Sequence, residues 1–238
     1  MWYIKKIVIL DKSAILEVFQ QKLTNVNFYV QEGNNMISKK ELEERIIRAC
    51  ENVIQAEAEL TEIDSKFGDA DHGLTMHKIA EAIKSSVKAS DGNIKEMLDD
   101  AAMAVMGLNG GSAVPLWNTW LDGMQEGAPE ADETDVDGLK EMFAAAFEAL
   151  DDMSGAKVGD KTMMDTVIPA SDAIAAFDGG SEKELFSLAA EAALKGAENS
   201  KNFVSKFGRA KSYGTKTLGT PDAGAVSMAK FFEGLAKE

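Results

Sequence analysis

From Leu42 onward the apolar residues recur at intervals of three and four. Leu42, Ile46, Ile47, Cys50, Val53 and Ile54 fall on one face of a 3.6-residue period, so the spacing predicts a first helix with Cys50 in its core-facing stripe. Ser38 followed by Glu41 is a capping box that sets its start. The same period marks amphipathic segments over 75–87, 94–106, 115–124, 139–153, 162–177, 182–207 and 223–236. Together they make about eight helices. Period-two alternation of β-branched residues is scarce, so the fold class is all-α. Pro169 lies inside one segment and predicts a kink, because it lacks a backbone donor and crowds the preceding turn. No repeat of solenoid length is present.

Two stretches fall outside this pattern. Residues 126–138, EGAPEADETDVDG, hold six carboxylates and no base, which reads as a solvated connection between helices. Residues 1–35 begin MWYIKKIVIL, a short apolar run interrupted by Lys5 and Lys6. It is too short to span a membrane and lacks the cleavage site of a signal peptide. As a strand it would have no sheet to join. Gln31, Glu32 and Gly33 can be encoded by a purine-rich ribosome-binding sequence placed at initiation distance from Met36. The segment therefore reads either as a misassigned start or as a genuine N-terminal extension, before a single domain at 36–238.

Composition narrows the partners. The chain has 238 residues, 45% of them hydrophobic, and 25 Lys and Arg against 40 Asp and Glu, for a net charge of −15. That composition suits a globular fold, and the length allows a sizeable core. The acidic balance argues against nucleic acid and anionic membrane as partners. It leaves room for nucleotides bound through metal ions. A single cysteine cannot form an internal disulfide, so the expected compartment is the cytoplasm.

Four polar segments interrupt the helical pattern. The first, LTEIDSKFGDADHGLTM, carries Asp64, Asp69 and Asp71 just before a helix. Carboxylates this close repel, and a hard divalent cation relieves the repulsion; Mg²⁺ uses few carboxylates and keeps positions for water and phosphate oxygens. An EF-hand is excluded because the twelfth position from Asp69 is Ala80 instead of Glu. The competing reading is a helix cap with an Asx turn around Gly68 and Gly73. The second segment, GLNGGSAVPLW, sets Gly107, Gly110, Gly111 and Ser112 at a helix start, where bare backbone N–H groups and the helix dipole can receive a phosphate. A tight turn has the same appearance, and neither a Walker ending nor a preceding strand is present.

The third segment, GAKVGDKTMMD, carries Asp160, Lys161, Thr162 and Asp165. The fourth, GRAKSYGTKTLGTPDAG, carries Arg209, Lys211, Tyr213, Lys216 and Asp222 in a long irregular run, the usual form of a binding loop. Arg209 has the planar fork that clamps a phosphate. Four such loops at the ends of separate helices favour one assembled nucleotide site. His77 has no partner at metal-ligand spacing and reads as a surface or capping residue. Met163 and Met164 suit either core or an adenine pocket, and Trp117 and Trp120 read as packing.

Taken in order, GDADHGLTM, NGGSAVPLW, GDKTMMD and GRAKSYGTKTLGTPDAGA resemble the signature segments of dihydroxyacetone kinase subunit L, the nucleotide-binding component related to the C-terminal domain of ATP-dependent dihydroxyacetone kinases. The resemblance spans 36–238 and implies an antiparallel eight-helix barrel with the nucleotide site at one end. It implies Asp64, Asp69 and Asp71 as ligands of two Mg²⁺ ions. Around ADP or ATP it implies His72, Thr75, Gly110, Gly111, Ser112, Gly159, Thr162, Met163, Arg209, Asp222 and Gly224. The implied activity is that of a phosphotransferase subunit with no protein nucleophile. It passes a phosphoryl group to dihydroxyacetone or a similar short ketose held on a separate K-type subunit, and is recharged by an M-type subunit of the phosphoenolpyruvate phosphotransferase system. A homodimer is a further partner reading.

Two departures bear on that implication. Thr75 stands where the family often has Asn, and GGSAVP replaces GGASGP, which displaces a serine and puts Val114 in place of a glycine. The alternatives are a divergent paralogue acting on another triose or a tetrose, and a non-catalytic nucleotide-binding regulatory subunit.

Overall fold

Ser38 starts the first helix as its spacing from Glu41 predicts. Its hydroxyl accepts the Glu41 N–H at 3.3 Å, and the Glu41 carboxylate returns to the Ser38 N–H at 2.9 Å. In the computed structural model, which describes residues 36–238, this cap opens α1 (Lys39–Gln55). There follow α2 (Glu57–Ser65), α3 (His72–Ala89), α4 (Ile94–Met106), α5 (Ala113–Glu126), α6 (Val136–Ser154), α7 (Met164–Ala176), α8 (Glu182–Asn199) and α9 (Ala223–Ala236). The expectations placed on residues 1–35 lie outside the described residues.

Eight of these helices close a ring. α1 packs on α3, each helix from α3 to α8 packs on its successor, and α9 returns to α1. The short α2 lies against α3 and α9. Ring neighbours joined by short connections run antiparallel. Alternate connections therefore share an end of the barrel, and 66–71, 107–112, 155–163 and 200–222 are those of one end. The opposite end is tied by backbone bonds from Lys39 to Asp132 (2.6 Å) and from Ile94 to Ala131 (3.0 Å).

The ring closes on aromatic packing. Trp117 and Trp120 of α5 are buried, with ring centroids 5.8 Å apart, and Phe231 of α9 stands edge-on to both at 5.3 and 5.4 Å. Such edge-to-face pairs stabilise beyond the area they bury. Where α9 meets α1 the backbones touch: a Cβ on Gly234 would lie 2.3 Å from the Ala49 Cα. Cys50 is fully buried, as its place in the periodic stripe predicts, and faces Met76, Ile79, Ala80 and Ile83 of α3.

Three local expectations change. The LTEIDS stretch, read as loop, is the body of α2. The segment read as helix to 207 ends at Asn199 in a 3-10 turn, Ser200–Asn202, where the Ser200 hydroxyl donates back to the Ala197 carbonyl at 2.6 Å. The acidic connection is not wholly solvated, because Thr134 is buried and β2 (Glu133–Thr134) pairs antiparallel with β1 (Ile37–Ser38). Pro169 lies inside a helix as expected, within α7. Gly196 of α8 lies against the carbonyl of Asp165, four residues before that proline, and a Cβ there would come to 2.2 Å. Among the described residues, no helix is long and apolar enough to cross a membrane.

Candidate functional site

The three aspartates of the first loop converge. Asp64 sits in the last turn of α2, with Asp69 and Asp71 on the connection to α3. One carboxylate oxygen from each lies within 4.8 Å of the others. Two backbone features permit this. Gly68 folds against Asp64, where a Cβ would stand 2.0 Å from its Oδ1. Ala70, between the other two, has φ +61, a conformation that non-glycine residues adopt rarely and at a cost in strain. Burial, then the neighbouring Asp69 and Asp64, push the Asp71 carboxyl above the ordinary range. Asp71 occupies the N-cap position of α3 without a capping hydrogen bond, so the cap reading does not describe its side chain. The donor set is all hard oxygen with a mutual repulsion to relieve, which fits Mg²⁺.

His72 opens α3 and reaches α9, its Nε2 3.2 Å from the Ser227 Oγ. Its N–H approaches Asp64 Oδ2 at 3.4 Å. Burial holds the imidazole pKa down, with Asp64 opposing, so the ring favours its neutral form. Thr75 lies one turn further and is buried. Gly110 sits over it: a Cβ on Gly110 would meet Val114 at 2.6 Å and the Thr75 methyl at 3.1 Å. Gly111 and Ser112 are exposed at the N-terminus of α5, and the Ser112 side chain makes no capping bond. Val114, one of the two departures, thus packs under the glycine loop.

The third loop is organised by a residue that sequence reasoning left without a role. Asp165 is buried and its carboxylate accepts the N–H groups of Gly159 at 2.6 Å and Thr162 at 2.8 Å. Its spacing, three after Thr162 in the first turn of a helix, was the available signal. Gly159 has φ +94, which a glycine takes without strain. Met163 is buried, and Gly224 of α9 packs on it, a Cβ there standing 3.5 Å away. Asp222 caps α9, accepting the Ala225 N–H at 2.8 Å; burial pushes its carboxyl up to about 7.

The fourth loop lies on the first. Arg209 pairs with Asp69, and Tyr213 stacks edge-on to Phe67 with centroids 5.3 Å apart. The first, third and fourth loops and the starts of α3 and α9 therefore meet directly. The glycine loop joins them through Thr75, and among the described residues no hydrogen bond links it to the third loop. His77 pairs with Glu57 at 2.6 Å, in keeping with its surface reading.

Comparison with known proteins bears on this assembly. The family model of the DAK2 domain matches residues 66–237. The L-erythrulose 1-kinase of Mycolicibacterium smegmatis is 33% identical over 186 residues, which cover 76% of this chain and 32% of that protein. The chain thus spans about a third of that relative's length. The ADP-binding subunit DhaL of the PTS-dependent dihydroxyacetone kinase of Lactococcus lactis is 30% identical over 186 residues, covering 78% of this chain and 90% of that subunit. Among solved structures, the dihydroxyacetone kinase of C. freundii in complex with AMP-PNP and Mg²⁺ superposes with a TM-score of 0.60 at 24% identity, over 82% of this chain and 33% of that one. At that identity the likeness concerns the fold.

Proposed function

The chain belongs to the DAK2 domain family, and from that premise we propose that it is the nucleotide-binding, phosphoryl-transferring subunit of a kinase for short ketoses. The observation that carries the reading is the convergence of Asp64, Asp69 and Asp71 beneath Arg209, at the barrel end where the glycine loop and the N-termini of α3, α5 and α9 open. Two Mg²⁺ ions held by these aspartates would neutralise phosphate charge as the phosphoryl group moves.

The chain's own groups do the rest by position. The N–H groups of the exposed residues Gly110, Gly111 and Ser112, at the start of α5, would receive phosphate oxygens. The neutral His72 donates or accepts a hydrogen bond without adding charge. Thr162, Met163 and Gly224, beside Asp222, would hold the nucleoside, and Arg209 would offer two parallel donors to a terminal phosphate. In this reading the transfer needs no protein nucleophile, and the acceptor hydroxyl is that of a ketose on a K-type subunit. A phosphotransferase-system M-type subunit returns the phosphoryl group to ADP held in place. This assignment is supported by the DhaL relative, whose name records ADP binding and PTS dependence.

A second acceptor has a specific observation behind it. The erythrulose kinase likeness and the altered GGSAVP loop favour a four-carbon ketose as the alternative to dihydroxyacetone. The test is to isolate the protein and analyse the supernatant after denaturation for ADP and magnesium. It is then supplied with K-type and M-type partners, phosphoenolpyruvate and either ketose. Bound or readily bound ADP·Mg²⁺ with ketose phosphorylation is expected. Protein that binds ADP·Mg²⁺ and supports no transfer with either ketose would leave the regulatory alternative in its place.

A further inference from the structure

Lys161 is a lysine where a glycine would be easier. Its φ is +61, and its side chain is buried at 3% exposure, both unusual for a lysine in a loop. The ammonium donates to the Ser200 carbonyl at 2.7 Å and the Thr220 carbonyl at 2.5 Å. Those carbonyls stand at the two ends of the fourth loop. One ammonium thus holds together the base of the segment that carries Arg209 and delivers Asp222.

Other bonds close the same base: Gly219 N–H to the Lys201 carbonyl at 2.8 Å, and Asp222 N–H to Ser200 Oγ at 2.9 Å. Lys206 pairs with Asp160, the residue before Lys161, at 2.6 Å. Loss of the ammonium would leave two carbonyls short of a charged donor in a place where water has little access. Burial holds the Lys161 pKa below the ordinary lysine value while Asp222 and Asp165 draw it up.

We propose that Lys161 is a positioning residue, a buried staple that holds the fourth loop closed over the first loop and so sets how slowly nucleotide leaves. The inference rests on the nucleotide reading above, and its two parts separate in the test. Hydrogen exchange on nucleotide-free protein follows the loop alone. Release of ADP in the presence of Mg²⁺ follows the consequence.

In Lys161→Met, amide exchange over 203–219 is expected to quicken about tenfold or more, since two charge-assisted hydrogen bonds at the base of the loop are lost, while α4 and α5 keep their wild-type rates. ADP·Mg²⁺ release quickens with the loop while its association rate barely changes. Lys161→Arg, which keeps a charged donor, recovers part of both. Should Lys161→Met not fold, Lys161→Gln reads the same two quantities. Unchanged exchange over 203–219 would overturn the staple, and so would an equal acceleration across α4 and α5. Faster exchange with unchanged release would overturn its link to nucleotide. If wild-type protein takes up no ADP·Mg²⁺, the nucleotide reading and that link both fall, and the exchange comparison still decides the staple.

Discussion

Arg209 lays its guanidinium on the carboxylate of Asp69, so one of the three clustered aspartates is neutralised by a residue from the far loop. In the proposed function the two ligands would impose opposite demands on Arg209. A cation would compete with it for Asp69, whereas a phosphate would recruit it. Arg209→Ala is expected to bind Mg²⁺ alone more tightly than wild type, because the repulsion among Asp64, Asp69 and Asp71 is then uncompensated. The same variant should bind ADP·Mg²⁺ about tenfold or more weakly, from loss of charged hydrogen bonds to phosphate. Calorimetric titration with each ligand measures both, and movement in the same direction would contradict the account.

Asp222 supplies a pH dependence. Burial raises its carboxyl to about 7, above the ordinary value of about 3.9. Between these values the folded protein holds a proton that the unfolded chain has released, so the contribution to stability is present at low pH and is lost as pH rises through about 7. Asp222→Asn keeps an acceptor for the Ala225 N–H and removes the titration. In nucleotide-free protein, the melting temperature of wild type minus that of the variant should decline from about pH 4 to about pH 8. A flat difference would refute the assignment.

Gly234 tests the seam that closes the barrel. A Cβ there meets the Ala49 Cα at 2.3 Å, and backbone cannot swing away as a flexible side chain can. Gly234→Ala should lower the unfolding free energy by about 1–3 kcal/mol despite alanine's better helix propensity. Denaturant unfolding with an unchanged midpoint would show that α1 and α9 are not held this closely.

Cys50 reports chemically on the packing of α1 against α3. It is fully buried, and burial pushes its thiol well above the ordinary range. A thiol reagent should leave it unmodified in native protein and modify it fully in denaturant, because the thiolate is the reactive form. Rapid native reaction would mean that α1 separates from α3.

Much of the fold was legible because caps and periodic stripes are local. The segment 94–106 matches α4, whose start Asn93 and Glu96 fix with a capping box and whose end falls at Gly107. What escaped was whatever depends on distant partners. Only Leu60 of the nine residues in α2 is buried, so its sequence has no apolar stripe to read. Phe203 carried the helical period past Asn199, although the buried Ser200 turns the chain there. The three aspartates were legible as a group from their spacing. Lys161 was not, since a lysine in a polar loop reads as solvated until Ser200 and Thr220 are brought over it.

Binding of nucleotide through metal on Asp64, Asp69 and Asp71 is the core of the proposed function. Its most direct measurement is titration of ADP into nucleotide-free protein with Mg²⁺ or with chelator, for wild type and Asp71→Asn. Wild type should bind ADP with Mg²⁺ and bind it at least about tenfold more weakly without, and Asp71→Asn should lose most of the Mg²⁺-dependent gain while its ligand-free melting temperature changes little. Equal ADP affinity with metal and with chelator, or a Mg²⁺-dependent affinity untouched by Asp71→Asn, would contradict it.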